Sequence, residues 1–133
     1  MIRKYNKKDL KRLLQIESES FPSSAYDRFT LICLSKFYRF LVYEKEELLG
    51  YIIFDPGNGH ILSIAVDPSY RGEGVGTRLV EEVFKECERG WIEVRRSNKT
   101  AQTFYLSLGF ETVGEIQNYY RDEDAYIMTR KRD

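Results

Sequence analysis

Apolar positions recur along this chain in two rhythms, one helical and one alternating. Leu10, Leu13, Leu14 and Phe21 share one helix face and predict a helix over residues 9–20. Phe21-Pro22-Ser23-Ser24 breaks the chain, and a second helix is predicted over 26–37. Leu79, Val80, Val83, Phe84 and Cys87 mark a longer helix over about 74–89, with Gly90 as its stop. A last helix is predicted over 99–108, closed by Gly109. Stretches rich in β-branched and aromatic residues fill 2–5, 38–43, 48–54, 60–66, 91–94, 112–119 and 125–129, and these predict strands. Polar turns separate them, among them Glu44-Lys45-Glu46-Glu47, Pro56-Gly57-Asn58-Gly59 and Arg121-Asp122-Glu123-Asp124.

The predicted order is βααβββαβαββ, an α/β fold with antiparallel meanders at both ends. The β-α-β unit in the middle requires a parallel, right-handed crossover. No linker or repeat divides the 133 residues, so one domain over 1–133 is expected. Glu17 interrupts the apolar face of the first helix. A helix-end charge reaching solvent is the favoured reading, and a carboxylate at a substrate pocket is the other.

Charge enters by exclusion. Lys plus Arg and Asp plus Glu both number 21, and this balance argues against broad nucleic-acid binding. No window approaches the apolar length of a membrane span, and residues 1–5 lack the apolar core of a secretion signal, so a cytoplasmic location is expected. Cys33 and Cys87 lack C-x-x-C spacing, and His60 is the single histidine, so no metal site is expected. His60 follows a turn and reads as solvated. Cys87 reads as core packing.

Candidate chemistry concentrates after the strand at 60–66. Asp67-Pro68 ends that strand, Arg71-Gly72-Glu73-Gly74-Val75-Gly76-Thr77 follows, and then the long helix begins. Strand, glycine-rich turn and helix together present free backbone N–H groups and a positive helix end to an anion, most often a phosphate. The glycines remove Cβ atoms from its path, and Arg71 adds a charge. The spacing fits neither G-x-G-x-x-G nor G-x-x-x-x-G-K-[ST].

The pattern R-x-x-G-x-G instead resembles the acetyl-CoA pyrophosphate loop of the GNAT acetyltransferase superfamily, and the element order matches that layout over nearly the whole chain. The resemblance implies a mixed, mostly antiparallel sheet flanked by helices. Its two central strands, 60–66 and 91–94, would splay apart to admit the pantetheine arm. Ile64, Ala65 and Val66 would offer backbone groups to that arm and to the thioester carbonyl. Residues 71–77 would cradle the pyrophosphate.

Glu93 stands in a short apolar strand, where an unpartnered carboxylate is costly to bury. Strand alternation puts it on one face with Trp91. The segment Ile92-Glu93-Val94-Arg95-Arg96-Ser97-Asn98-Lys99-Thr100-Ala101 resembles the L-E-V-R-x-S-N-x-x-A signature of the N-terminal amino acetyltransferases, which include enzymes that acetylate ribosomal-protein N-termini. That resemblance makes Glu93 the general base and puts Asn98 on the pantetheine arm as well as at a helix N-cap. It makes Tyr105 both a cofactor contact and the acid that protonates the departing thiolate. Residues 115–128 resemble the subgroup's final hairpin, so Tyr119 and Tyr120 would clamp the first residues of a peptide, with Phe21 and Tyr26 beside them. One departure bears on the acceptor: the loop after Phe21-Pro22 carries neither the tryptophan of the bacterial enzymes nor the catalytic glutamate of the archaeal and eukaryotic ones.

The expected activity is transfer of acetyl from acetyl-CoA to a protein N-terminal α-amine, on a ribosomal protein or another, by direct attack in a ternary complex. Neither cysteine is placed as an acyl carrier. A lysine or small-amine acceptor is the alternative. A non-catalytic CoA-binding sensor or partner subunit is a further one, against which Glu93 and Tyr105 speak together.

Overall fold

Two half-sheets meet at a single bridge. In the computed structural model, which describes residues 1–133, β1 (Ile2–Lys4), β2 (Arg39–Glu44), β3 (Leu48–Phe54) and β4 (Ile61–Val66) pair antiparallel in the order β1-β2-β3-β4. β5 (Arg89–Arg95), β6 (Glu111–Ile116) and β7 (Ala125–Lys131) form the other half, in the order β5-β7-β6. The halves join through a parallel bridge between His60 and Trp91, where the Trp91 N–H donates to the Gly59 carbonyl at 3.0 Å. Past that bridge β4 and β5 share no ladder, so the edge of β4 that faces β5 is open along its length. The splayed central pair that the resemblance implies corresponds to this gap.

Burial on both faces explains the composition of the central strand. All seven residues of β3 are buried. Its alternate side chains divide between two clusters, as a period of two requires. Ile52 and Phe54 pack with Leu79, Val80 and Val83 of α3 (Val75–Glu86), the crossover helix. Tyr51 and Ile53 pack with Leu10, Leu13 and Ile16 of α1 (Leu10–Ser20) and with Leu31 of α2 (Arg28–Phe37). The helices thus sandwich the sheet, and α4 (Lys99–Ser107) joins the α3 side through Tyr105.

Local chemistry sets the element ends, and several differ from expectation. α2 starts at Arg28, because the Asp27 carboxylate caps it by accepting from the Thr30 N–H at 2.8 Å, which leaves Tyr26 in the inter-helix loop. α3 ends at Glu86, so Gly90 is a residue of β5 and not a helix stop. A Cβ at Gly90 would stand 2.9 Å from the Phe84 ring, and glycine lets the strand lie close on the helix. Gly76 lies inside the first turn of α3, where a Cβ would meet the Phe104 ring at 3.2 Å, so packing alone is reason for glycine there. β6 stops at Ile116, short of the tyrosine pair, and Asn118 (φ 55°) and Arg121 (φ 69°) turn the chain through left-handed conformations.

Candidate active site

The mouth of the splay opens into a cleft of about 670 Å³ between the end of α1, the α1–α2 loop, β4, β5, the start of α4 and the turn after β6. Of the residues predicted to act, Phe21, Tyr26, Ile64, Glu93, Asn98, Tyr105, Tyr119 and Tyr120 all line it. Residues 119 and 120 lie beyond the end of their strand, so both rings face the cleft instead of opposite sides of a sheet. Their rings meet edge to face at 4.8 Å.

Glu93 has a partner that the sequence did not announce. His60 Nε2 lies 2.5 and 2.7 Å from the two oxygens of Glu93. The same imidazole stacks on Trp91, with centroids 4.0 Å apart and planes 13° apart. Both contacts follow from strand alternation, since Trp91 and Glu93 point to one face of β5 and the bridge at Trp91 sets His60 beside that face. The reading of His60 as solvated decoration is therefore corrected: the ring is a built part of the site.

Tyr105 presents an unusual hydroxyl. The residue is 3% exposed, its ring meets Phe104 and Phe110 edge to face, and its Oη is buried with no hydrogen-bond partner. Burial alone pushes this phenol well above its ordinary range, so it holds its proton firmly. A buried donor without an acceptor costs free energy, which the fold tolerates at the wall of a cleft. Tyr120 is pushed up to about 12 by burial and then by the nearby Glu93 charge, and its hydroxyl donates to the Glu93 carbonyl at 3.3 Å. Burial and Glu93 also raise Tyr119. Tyr26 rises through burial, then through Glu17, Tyr119 and Glu93, which places its phenol within the field of all three.

Glu17 is the second correction. It does not reach solvent: it is 1% exposed and lines the cleft. Tyr51 donates its hydroxyl to one carboxylate oxygen, and the Tyr26 N–H donates to the other at 2.7 Å. Burial raises its carboxyl above the usual range, against the lowering effect of the Tyr26 N–H and the Ser63 hydroxyl. The signal was visible as a carboxylate within an apolar helix stripe, and burial with partners turned out to be its resolution. Ser20, Tyr51 and Ser63 carried no such signal.

The glycine-rich segment lies outside this cleft, past the end of β4. Gly72 (φ 83°) and Gly74 (φ 86°) take left-handed conformations, and a Cβ at either would meet nothing within 4 Å. No backbone N–H from Arg71 to Thr77 donates to a protein acceptor, and Gly74 caps α3 without a side-chain bond. Arg71, Gly72, Glu73 and Gly74 are exposed, and Thr77 is half-buried. Val75 is buried in the core, so only its backbone faces outward. These features suit a polyanion approaching a helix N-terminus. Ala65 and Val66 do not line the cleft. Their side chains pack in the two cores, which leaves the open β4 edge as their means of contact. Asn98 Oδ1 caps α4 by accepting from the Ala101 N–H at 3.0 Å, and its amide nitrogen stays uncommitted.

The chain matches the model of the acetyltransferase (GNAT) family over residues 8–110. It is 35% identical over 144 residues to an uncharacterized N-acetyltransferase of Methanocaldococcus jannaschii, spanning 99% of this chain and 92% of that protein. The crystal structure of Ard1 from Thermoplasma volcanium superposes with a TM-score of 0.89 at 28% identity, covering 98% of this chain and 96% of that one. The ribosomal-protein-S18-alanine N-acetyltransferase from Escherichia coli gives a TM-score of 0.84 at 28% identity, covering 100% of this chain and 94% of that one.

Proposed function

The chain belongs to the acetyltransferase (GNAT) family and is an acetyl-CoA-dependent N-acetyltransferase; from that premise we propose that its acceptor is the α-amine at a protein N-terminus. One observation carries the proposal. Glu93, held from behind by His60, lines one cleft together with the tyrosines Tyr26, Tyr119 and Tyr120 and with Tyr105, whose hydroxyl has no partner. The Escherichia coli structural relative, whose name makes it an alanine N-acetyltransferase of a ribosomal protein, supports the same reading.

Acetyl-CoA supplies an acetyl group activated as a thioester, and the residues present fit it. The free N–H groups of 71–77 and the left-handed glycines suit its pyrophosphate, and Arg71 adds charge. The open edge of β4 at Ile64, Ala65 and Val66 offers fixed backbone groups to the pantetheine arm and carbonyl, and the Asn98 amide adds another donor. A fixed N–H stabilises negative charge growing on a carbonyl oxygen without reorganisation.

Glu93 serves as the base that takes a proton from the acceptor ammonium, and His60 holds its carboxylate in place. Tyr105, protonated because it is buried, gives its proton to the leaving sulfur. Direct attack is favoured because neither thiol is placed for acyl transfer. Cys87 is buried against the carbonyls of Asp55 and Pro56, and Cys33 lies on α2, away from the cleft lining. The α-amine is the easier acceptor, since near pH 7 roughly 10–15% of it is neutral, against under about 0.1% of a lysine amine.

The test is a peptide bearing both a free N-terminus and an internal lysine, with mass spectrometry locating the acetyl group. The α-amine is the expected site. Acetylation of the lysine, unaffected by blocking the N-terminus, would overturn the proposal in favour of a lysine or small-amine acceptor.

A further inference from the structure

Glu17 is a buried carboxylate that the transfer chemistry does not use. It has no cation in the fold. Its partners are the Tyr51 hydroxyl and the Tyr26 N–H, and Tyr51 passes on to the Ser63 hydroxyl at 3.1 Å. A carboxylate accepts about four hydrogen bonds, so capacity remains beside these two. One helical turn further along α1, Ser20 lines the same cleft with its Oγ buried and unpartnered. The two lie three residues apart and so share a face of α1. Burying an uncompensated carboxylate costs several kcal/mol where an apolar residue would pack at no such cost. The fold carries this expense at the wall of its own cleft.

The surroundings fix the sign of what could dock there. Glu93 stands elsewhere in the same cleft, and the Tyr26 phenol responds to both carboxylates. The cleft's one guanidinium, Arg95, is already engaged: it lies 3.1 Å from Asp122, 3.6 Å from Glu123 and 4.2 Å over the Tyr120 ring. No free cation lines the cleft to neutralise an incoming carboxylate. Acceptors of hydrogen bonds abound.

We infer that Glu17 and Ser20 form a specificity subsite for the acceptor's first side chain, which takes a proton donor such as a hydroxyl and turns away a carboxylate. This rests on the N-terminal reading above and names the substrate class within it. A hydroxyl on the first residue donates to Glu17 and pairs with Ser20 Oγ. An apolar side chain leaves both as they are. A carboxylate meets like charge with nothing to offset it.

The experiment measures α-amine acetylation of three peptides that differ only in a first residue of Ser, Val or Asp, by mass spectrometry and kcat/KM. Ser is expected to exceed Val by roughly tenfold or more, as a charge-assisted hydrogen bond allows, and Asp to fall at least about tenfold below Val. In Glu17→Gln the Ser-over-Asp ratio should drop by about tenfold or more. Ser20→Ala, a milder change, should narrow the Ser-over-Val ratio whether or not Glu17→Gln folds. A latch that merely pins the loop would change all three peptides alike. Equal rates on the three peptides, a preference for Asp, or ratios untouched in the folded variants would overturn the subsite while leaving N-terminal acetylation standing. Absence of α-amine acetylation on every peptide would overturn both.

Discussion

His60 Nε2 stands 2.5 Å from Glu93 Oε1 although the two are 33 residues apart in sequence. The bridge that joins the half-sheets creates this contact, because it sets His60 level with Trp91 and lets one imidazole stack on Trp91 while bonding Glu93. A carboxylate held by a ring that is itself held by stacking has little freedom to turn away from an acceptor. Orientation of that kind is worth a large share of a catalytic barrier.

From that geometry, Glu93→Gln should lower kcat by roughly two to four orders of magnitude with acetyl-CoA affinity retained. His60→Phe keeps an aromatic ring to stack on Trp91 but removes the nitrogen that bonds Glu93, so it should cost less than Glu93→Gln. The double variant should be no worse than Glu93→Gln alone, since the histidine acts through the glutamate. Steady-state kinetics on the three proteins decides this, and a His60→Phe enzyme with unchanged kcat would reduce the contact to packing.

Tyr105→Phe separates stability from function. The hydroxyl has no partner, so deleting it breaks no hydrogen bond and relieves a buried polar group. Thermal unfolding should show a melting temperature equal to or above that of the parent. Turnover should fall by about two orders of magnitude or more if the phenol protonates the leaving thiolate. Loss of both stability and activity would instead make Tyr105 a packing residue.

The sequence carried the fold well where its signals are local. Leu79, Val80, Val83 and Phe84 mark α3 by spacing alone, and all four are buried. The glycines at 72 and 74 are legible too, because a left-handed backbone asks for a residue without a side chain. Gly90 misled for the same reason. Its use is contact with Phe84 across two elements, which no local pattern distinguishes from a helix stop. His60 and Glu17 were misjudged because their roles depend on partners distant in sequence, Glu93 for one and Tyr51 for the other. Tyr119 and Tyr120 could share a cleft only if their strand ended early, and the left-handed Asn118 that turns the chain has no glycine to announce it.

Gly74→Val should weaken acetyl-CoA binding severely while leaving the fold in place. At φ 86° a β-branched residue is strained, and its side chain would project into open space in front of the free N–H groups of α3. Strain of this kind costs about 1–3 kcal/mol, which a folded domain can survive. Gly76→Val differs, because its side chain would press on the Phe104 ring and so disturb α4. Calorimetry with acetyl-CoA and a melting curve for each variant separate the two. Parent-like affinity in Gly74→Val would remove the loop from the binding site.

Two carboxylates at opposite ends of α1 should give pH dependences of opposite sign. The Arg3 guanidinium holds Asp9 below the usual carboxylate range, with bonds of 2.8 and 2.9 Å, and the Asn6 N–H adds to this. A lowered carboxyl favours the folded state above its ordinary value near 3.9, and that contribution is lost as pH falls through the lowered one. Asp9→Asn should therefore destabilise at neutral pH, and the gap from the parent should close in acid. Glu17 is raised by burial, so the folded chain retains a proton that the unfolded chain releases above about pH 4.3. Parent stability then falls, relative to Glu17→Gln, as pH rises from that value toward the raised one. The amide also changes the bonds from Tyr51 and Tyr26, which shifts the whole curve but not its slope. Urea unfolding from pH 3 to pH 8 reads both slopes on one pair of variants, and parallel curves for Glu17→Gln and the parent would mean that burial leaves Glu17 unshifted.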